Sequence, residues 1–213
     1  MKKFELTSES ITKFGRTLFR IKALISFGNV SEGELGGFVE KEENINQSGD
    51  AWVSGDARVF GDAWVSGDAR VFGNARVSGN AEVSGDARVF GNAWVSGDAW
   101  VSGNAEVSGN AWVFGNAEVF GDARVFGDAE VSGDARVSTR NHISWFSNVG
   151  SENGTLTAYI TKSQEIEVTR GCFRGTIGQF ETAVQKTHGD SKYGKQYAAL
   201  IDFIKLRLEH EKL

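Results

Sequence analysis

With one cysteine among 213 residues, Cys172, the chain cannot close an internal disulfide. Long apolar runs are missing too, and a membrane-spanning helix needs roughly 20 consecutive apolar residues. The opening MKKFELTSES has two lysines but no apolar stretch behind them, so it lacks the layout of a secretory leader. These absences predict a cytoplasmic protein with no membrane partner, in which Asn153-Gly154-Thr155 is a turn rather than a glycosylation site. Histidine is scarce: His142, His188 and His210 all follow residue 138. Basic residues are few through the middle of the chain, where residues 49–138 carry thirteen acids against six bases, a balance of −7. Binding of long nucleic acids rests on Lys and Arg neutralising phosphates, so this segment is excluded as a DNA or RNA groove.

What that segment does contain is one hexad, Gly-(Asp/Asn)-Ala-x-Val-(Ser/Phe), repeated fifteen times from Gly49 to Ser138 without insertion or deletion. A strict short period requires every hexad to take one backbone shape and to bury the same side chains against its stacked neighbours, which is solenoid behaviour. Within each hexad, alternation in an extended segment turns Ala and Val inward and the variable residue outward. The Gly-Asp or Gly-Asn pair supplies residues that tolerate positive φ, so each short edge ends in a corner.

Three edges closing into a triangle make an 18-residue coil with parallel strands about 4.7–4.9 Å apart. Every third hexad then stacks, and the variable positions sort into three outward ladders. One runs Trp52, Arg70, Arg88, Glu106, Arg124; the second Arg58, Arg76, Trp94, Trp112, Glu130; the third Trp64, Glu82, Trp100, Glu118, Arg136. Neighbours in a ladder can make cation–π, aromatic and ion-pair contacts worth roughly 0.5–1 kcal/mol each when exposed. Five outward tryptophans and six outward phenylalanines are unusual for a monomer, the alternative to an interface being ladder stacking left open to water. Trp94, Trp112 and Phe114, on one face, are the expected oligomer interface.

The frame Val59-Phe60-Gly61-Asp62-Ala63-Trp64 resembles the hexapeptide-repeat pattern, with an aliphatic residue first and a small one fifth. The resemblance covers residues 49–138 and extends to two degenerate edges, Gly37-Phe38-Val39 and Asn44-Ile45-Asn46. It implies a left-handed parallel β-helix with three hexads per coil and, because trimers are common in that family, a homotrimer.

The expected domains are an N-terminal β cap (1–36), the β-helix (37–138) and a C-terminal α+β module (139–213). Lys3-Phe4-Glu5-Leu6 and Thr17 to Ile21 alternate as strands around a turn at Phe14-Gly15-Arg16, predicting a hairpin over the first coil. In the C-terminal module, strands are predicted at 143–146, 155–160 and 166–169. Thr176 and Gln179 form a capping-box pattern for one helix, and Ser191 caps a last helix with Tyr197, Leu200, Ile201, Ile204 and Leu208 on its apolar face. Segments Val149 to Thr155, Arg170-Gly171-Cys172-Phe173 and Thr187-His188-Gly189-Asp190, together with Phe27 to Val30 and Leu35 to Phe38, are similar to uncharacterised bacteriophage and prophage proteins. That resemblance implies an infected bacterial cytoplasm as the setting.

Catalysis finds little in these residues. Acyltransferases of the hexapeptide family use a histidine as general base, and the hexads contain none. Three sequence-distant histidines do not make a metal site. Cys172 and His188 could form a nucleophile and base, but Gly-Cys-Phe reads better as packed core. No catalytic residue, metal or cofactor is therefore expected. Ser151, Asn153, Thr155 and Thr157 with Arg170, His188, Lys192 and Tyr193 have the chemistry of a small anionic or nucleotide-like ligand site: cations for phosphate, an aromatic for stacking, hydroxyls and amides for orientation. The reading is a non-enzymatic, phage-type trimer that binds such a ligand or a host protein, as a host-defence antagonist would. The alternatives are an acyltransferase-like enzyme and a structural spacer or virion component.

Overall fold

A computed structural model gives the fold and describes residues 2–211. Each hexad contributes one two-residue strand, giving fifteen in all, from β4 (Trp52–Val53) to β18 (Arg136–Val137). The pairing is parallel and in register at a separation of 18 residues, as in Trp52↔Arg70 and Trp94↔Trp112. Three sheets result: β4-β7-β10-β13-β16, β5-β8-β11-β14-β17 and β6-β9-β12-β15-β18. The chain is thus a three-sided parallel β-solenoid, and the three ladders read from the sequence are its three faces. Every repeat Ala and Val is buried, at 0–1% exposure. Every corner glycine from Gly49 to Gly133 has φ between +61° and +74°.

Most backbone bonds between coils point one way. The N–H groups of the variable residue and of the Ser or Phe donate to the next coil, as in Trp52 N–H to Ala69 O (3.0 Å) and Ser54 N–H to Val71 O (2.9 Å), while parallel pairing turns the Val N–H back to the preceding coil. The chain has no proline, so no rung lacks a donor. Onward donors outnumber backward ones, so the first coil is left mainly with unclaimed carbonyls and the last coil mainly with unclaimed N–H groups, and burying either without a partner is costly. One end needs chiefly donors and the other chiefly acceptors.

The N-terminal cap supplies the donors. Strands β1 (Phe4–Lys13) and β2 (Arg16–Ala23) form the expected antiparallel hairpin, and β3 (Leu35–Val39) pairs antiparallel with β2 and parallel with β5 (Arg58–Val59). Phe38 and Glu40 donate backbone N–H groups to Ala57 O and Val59 O, and Asn46 N–H donates to Val65 O. Ile45 bridges Val65 in parallel, so the two degenerate edges lie on the first full coil. Two side chains complete the set. Asn44 Nδ2 donates to Gly61 O (3.0 Å) and Ala63 O (2.8 Å), and Lys3 Nζ donates to Gly49 O (3.1 Å) and Ala51 O (3.0 Å).

Lys3 is 2% exposed, and burial pushes its ammonium down from 10.5 to about 8. Below pH 8 the folded and unfolded chains both carry this proton. Between pH 8 and 10 the unfolded chain keeps it while the folded chain has lost it, so the Lys3 contribution to stability rises with pH. In urea denaturation, the stability of wild type relative to Lys3→Met should increase by about 2 kcal/mol between pH 7.5 and 9.5, at about 1.36 kcal/mol per pH unit above 8. A difference that stays flat would mean that the buried amine does not titrate there.

The cap also corrects the expectation that all the repeat aromatics face outward. Trp52 is 2% exposed, lying under Phe4 and Phe27 at ring distances of 6.3 and 5.4 Å. Phe60 is 8% exposed, packed with Leu18 and Phe38 and stacked by Phe14 at 5.2 Å. An apolar ring on the first coil is the natural contact for the hairpin that closes it.

At the far end the C-terminal module is an antiparallel meander of β19 (Ile143–Val149), β20 (Gly154–Ile160), β21 (Ile166–Arg170) and β22 (Phe173–Thr176), followed by α1 (Ile177–His188) and α2 (Lys192–Glu209). Three strands were expected, and β22 is a fourth. Its two-residue link to β21 turns at Gly171 (φ +57°), which leaves Cys172 exposed rather than packed in the core. Thr176 and Gln179 exchange the expected capping bonds, and Ser191 Oγ accepts from Gly194 N–H. Tyr197, Ile201, Ile204 and Leu208 of α2 are buried in one core with Leu156, Val168 and Phe180. The first two strands of the meander close the solenoid: Ile143 of β19 and Tyr159 of β20 join its core, and Ala135 bridges Thr161. Acceptors sit where the last coil needs them. Thr157 Oγ1 accepts from Glu130 N–H (3.1 Å), and His142 Nδ1 from Ser138 N–H (3.4 Å).

Candidate functional site

The turn between β19 and β20, the end of β21 and the two helices enclose a cleft of about 270 Å³. Gly150 N–H donates to Gln196 Oε1 (2.9 Å), which ties the turn to α2. Phe173, Phe180 and Val184 give the cleft an apolar floor, and Ser151, Glu152, Arg170 and His188 give it polar groups. Arg170 is held by an Nη2–H bond to Val149 O (2.8 Å), while its Nε is buried without a hydrogen-bond partner. The His188 ring lies 5.6 Å from Tyr197 and 6.2 Å from Tyr193.

Of the eight residues expected at a ligand site, the fold therefore brings Ser151, Arg170 and His188 into one cleft. Tyr193 lies beside it through His188, and Lys192 Nζ sits 5.8 Å from the Tyr193 ring centroid. The other three have local duties. Asn153 takes a left-handed turn conformation at φ +47°. Thr155 Oγ1 pairs with Ser147 Oγ at 3.0 Å. Thr157 is 1% exposed and caps the last coil, so its hydroxyl is committed to the backbone of Glu130. Cys172 and His188 line the same cleft, but no hydrogen bond joins them.

On the solenoid, the second face brings together its three expected interface residues. Trp94 and Trp112 stack at 5.2 Å and 10°, and Phe114 meets Trp112 at 4.3 Å. Trp112 remains 37% exposed. The hairpin covers the start of this face, with Arg76 lying over Phe14 at 5.3 Å and over Trp94 at 5.9 Å. The first face holds cavities that sequence reasoning did not reach. One, of about 620 Å³, mixes Arg70 and Arg88 with Asp68, Asp86 and Glu34 beneath the loop that carries Asn29. Loops far apart in sequence wall these cavities, so no local motif marks them.

Among the described residues, no helix is long and apolar enough to cross a membrane, and no cluster of three or more His, Cys, Asp or Glu is placed to hold a metal ion. No curated protein matches the chain. The family described as YdcK Beta solenoid repeat matches residues 51–67, 69–85 and 81–97. In those coils the chain is similar to that family, and with its three stacked parallel sheets it is a β-solenoid repeat protein.

Proposed function

We propose that this is a non-enzymatic binding protein: the C-terminal cleft receives a small anionic, nucleotide-like ligand, and the solenoid is a rigid scaffold that trimerises through its second face. The observation that carries the reading is the convergence of Ser151, Arg170 and His188 over an aromatic floor, with Arg170 Nε buried and unpartnered. A guanidinium already fixed by one backbone bond is preorganised for an anion, and an apolar floor suits the planar part of such a ligand. Support for the scaffold role comes from the exposed edge of the Trp94–Trp112–Phe114 stack. Hexads without histidine speak for binding over acyl transfer. In a phage-type setting, such a protein would antagonise host defence by sequestering a nucleotide signal or by blocking a host protein.

Native mass spectrometry of the protein as isolated tests both parts. The expected species is a trimer carrying a small anion. Trp112→Glu should give monomers, because a carboxylate in a desolvated aromatic contact is strongly unfavourable. Arg170→Gln should release the anion and leave the trimer intact. A monomer with no bound species at micromolar concentration would remove the proposal.

A further inference from the structure

A second pocket, of about 370 Å³, lies where the solenoid meets the C-terminal module. Four aromatic side chains form it as two perpendicular pairs. Phe126, which follows β16 (Arg124–Val125), meets Trp145 of β19 at 4.3 Å and 80°, and Phe146 of β19 meets Phe203 of α2 at 5.8 Å and 88°. Phe126 is 47% and Phe203 50% exposed, an unusual state for two large apolar rings that border one cavity.

Three guanidiniums from three separate elements surround these rings: Arg124 from β16, Arg140 from a short 3-10 turn and Arg207 from α2. Phe203 and Arg207 are four residues apart on the helix and so share a face. No acidic residue lines the pocket. Arg124 is neutralised by Glu106 at 3.2 Å. Arg207 Nε donates only to the neutral Ser144 hydroxyl (2.8 Å), and Arg140 has no carboxylate partner among the described residues. Neither Arg140 nor Arg207 is ion-paired among the described residues, although Arg140 also lines the neighbouring cavity that holds Glu106 and Asp122, in a chain whose net charge is −5.

From this we infer a binding site for a planar aromatic anion of the nucleoside phosphate class. The ring would lie among the four aromatic side chains, and the phosphate would pair with Arg140 and Arg207. Each component answers one property of the pocket: stacking surface for a flat ring, forked donors for phosphate oxygens, and a volume within the roughly 300–1,000 Å³ of small-molecule sites. The site is independent of the C-terminal cleft, with which it shares no lining residue.

Isothermal titration of the full chain with AMP tests the inference, with adenosine and inorganic phosphate as its separated parts. AMP should bind more tightly than either. The double variant Arg140→Gln/Arg207→Gln should weaken AMP by about tenfold or more, since both forked, charged donors to the phosphate are lost. Phe203→Ser, at an exposed position that makes no hydrogen bond through its side chain, should weaken AMP as well. Lys186→Gln, at an exposed position that lines neither cavity, should leave AMP affinity unchanged. A short 5′-phosphorylated single-stranded DNA, repelled by the acidic rod, should bind more weakly than AMP. Absence of AMP binding at millimolar concentration, an unchanged double variant, or phosphate binding as well as AMP would each overturn the assignment. Tighter binding of the DNA than of AMP would overturn the free nucleotide as occupant.

Discussion

Gly109→Ala is expected to lower the melting temperature by about 4–20 °C, far more than the same change at Gly15. Gly109 has φ +69°, and an added Cβ would lie 2.8 Å from Gly127 N and 2.9 Å from Gly127 O on the next coil. Two costs therefore coincide. A residue with a Cβ loses roughly 1–2 kcal/mol in the left-handed region. Overpacking against backbone that cannot swing aside adds roughly 1–3 kcal/mol. At about 2–4 °C per kcal/mol for a chain of this size, the sum gives the stated range. Gly15 separates the two costs, because it sits in the hairpin turn at φ +71° with nothing within 4 Å of its added Cβ. It should show the conformational cost alone. Equal losses at the two sites would mean that coil stacking does not constrain the corner. Hydrogen exchange should further show the Gly109 defect spreading to the neighbouring coils, since each coil of a solenoid is held only by its neighbours.

The same contrast explains how far the sequence could be read. A corner glycine, an inward Ala and an inward Val recur at fixed offsets, so period and alternation alone yield the coil, its 18-residue register and the membership of each face. The ladder contacts follow from that register: Arg124 meets Glu106 at 3.2 Å, and Trp94 stacks on Trp112. One regularity was available and passed unnoticed. Trp94, Trp100 and Trp112 each donate their indole N–H to a serine sixteen residues earlier, Ser78, Ser84 and Ser96, at 3.0–3.3 Å. Serine in the sixth position of a hexad is thus a partner for the tryptophan of the next coil, and the variable letters are coupled across coils. The cap residues were less legible, because their partners are backbone groups left over by the stack rather than side chains named by any motif. Thr157 illustrates the difficulty. Its neighbours in sequence are those of a polar ligand site, yet the direction of the hydrogen bonds in the solenoid assigns it to the N–H of Glu130. The cavities are hardest to anticipate, since Phe126, Arg140, Trp145 and Phe203 approach only after the module has docked on the last coil.

Asn44→Ala is expected to destabilise the N-terminal end by about 3–5 kcal/mol, and Asn44→Asp by at least as much. Asn44 is 0% exposed and works as a substitute rung. Its Nδ2 serves two carbonyls of the first coil, Gly61 O and Ala63 O, while its Oδ1 accepts from Lys41 N–H at 3.0 Å. Alanine removes all three bonds and leaves three backbone groups to find water or go unpaired, at roughly 1–3 kcal/mol each where burial is complete. Aspartate discriminates between shape and chemistry. It has nearly the same size and retains the acceptor for Lys41, but it replaces the donating amide with an oxygen aimed at two carbonyl oxygens. If filling space were the role of this residue, aspartate would be tolerated and alanine would not. If the role is to donate, aspartate must be the worse of the two at neutral pH and should recover part of its loss in acid, where a protonated carboxyl can donate once. Urea denaturation of the two variants at pH 7 and pH 4 reads the difference directly. Because most N–H groups between coils point toward the following coil, a requirement for donors at Asn44 is a consequence of that bias, and the order of these two variants measures it at the open end.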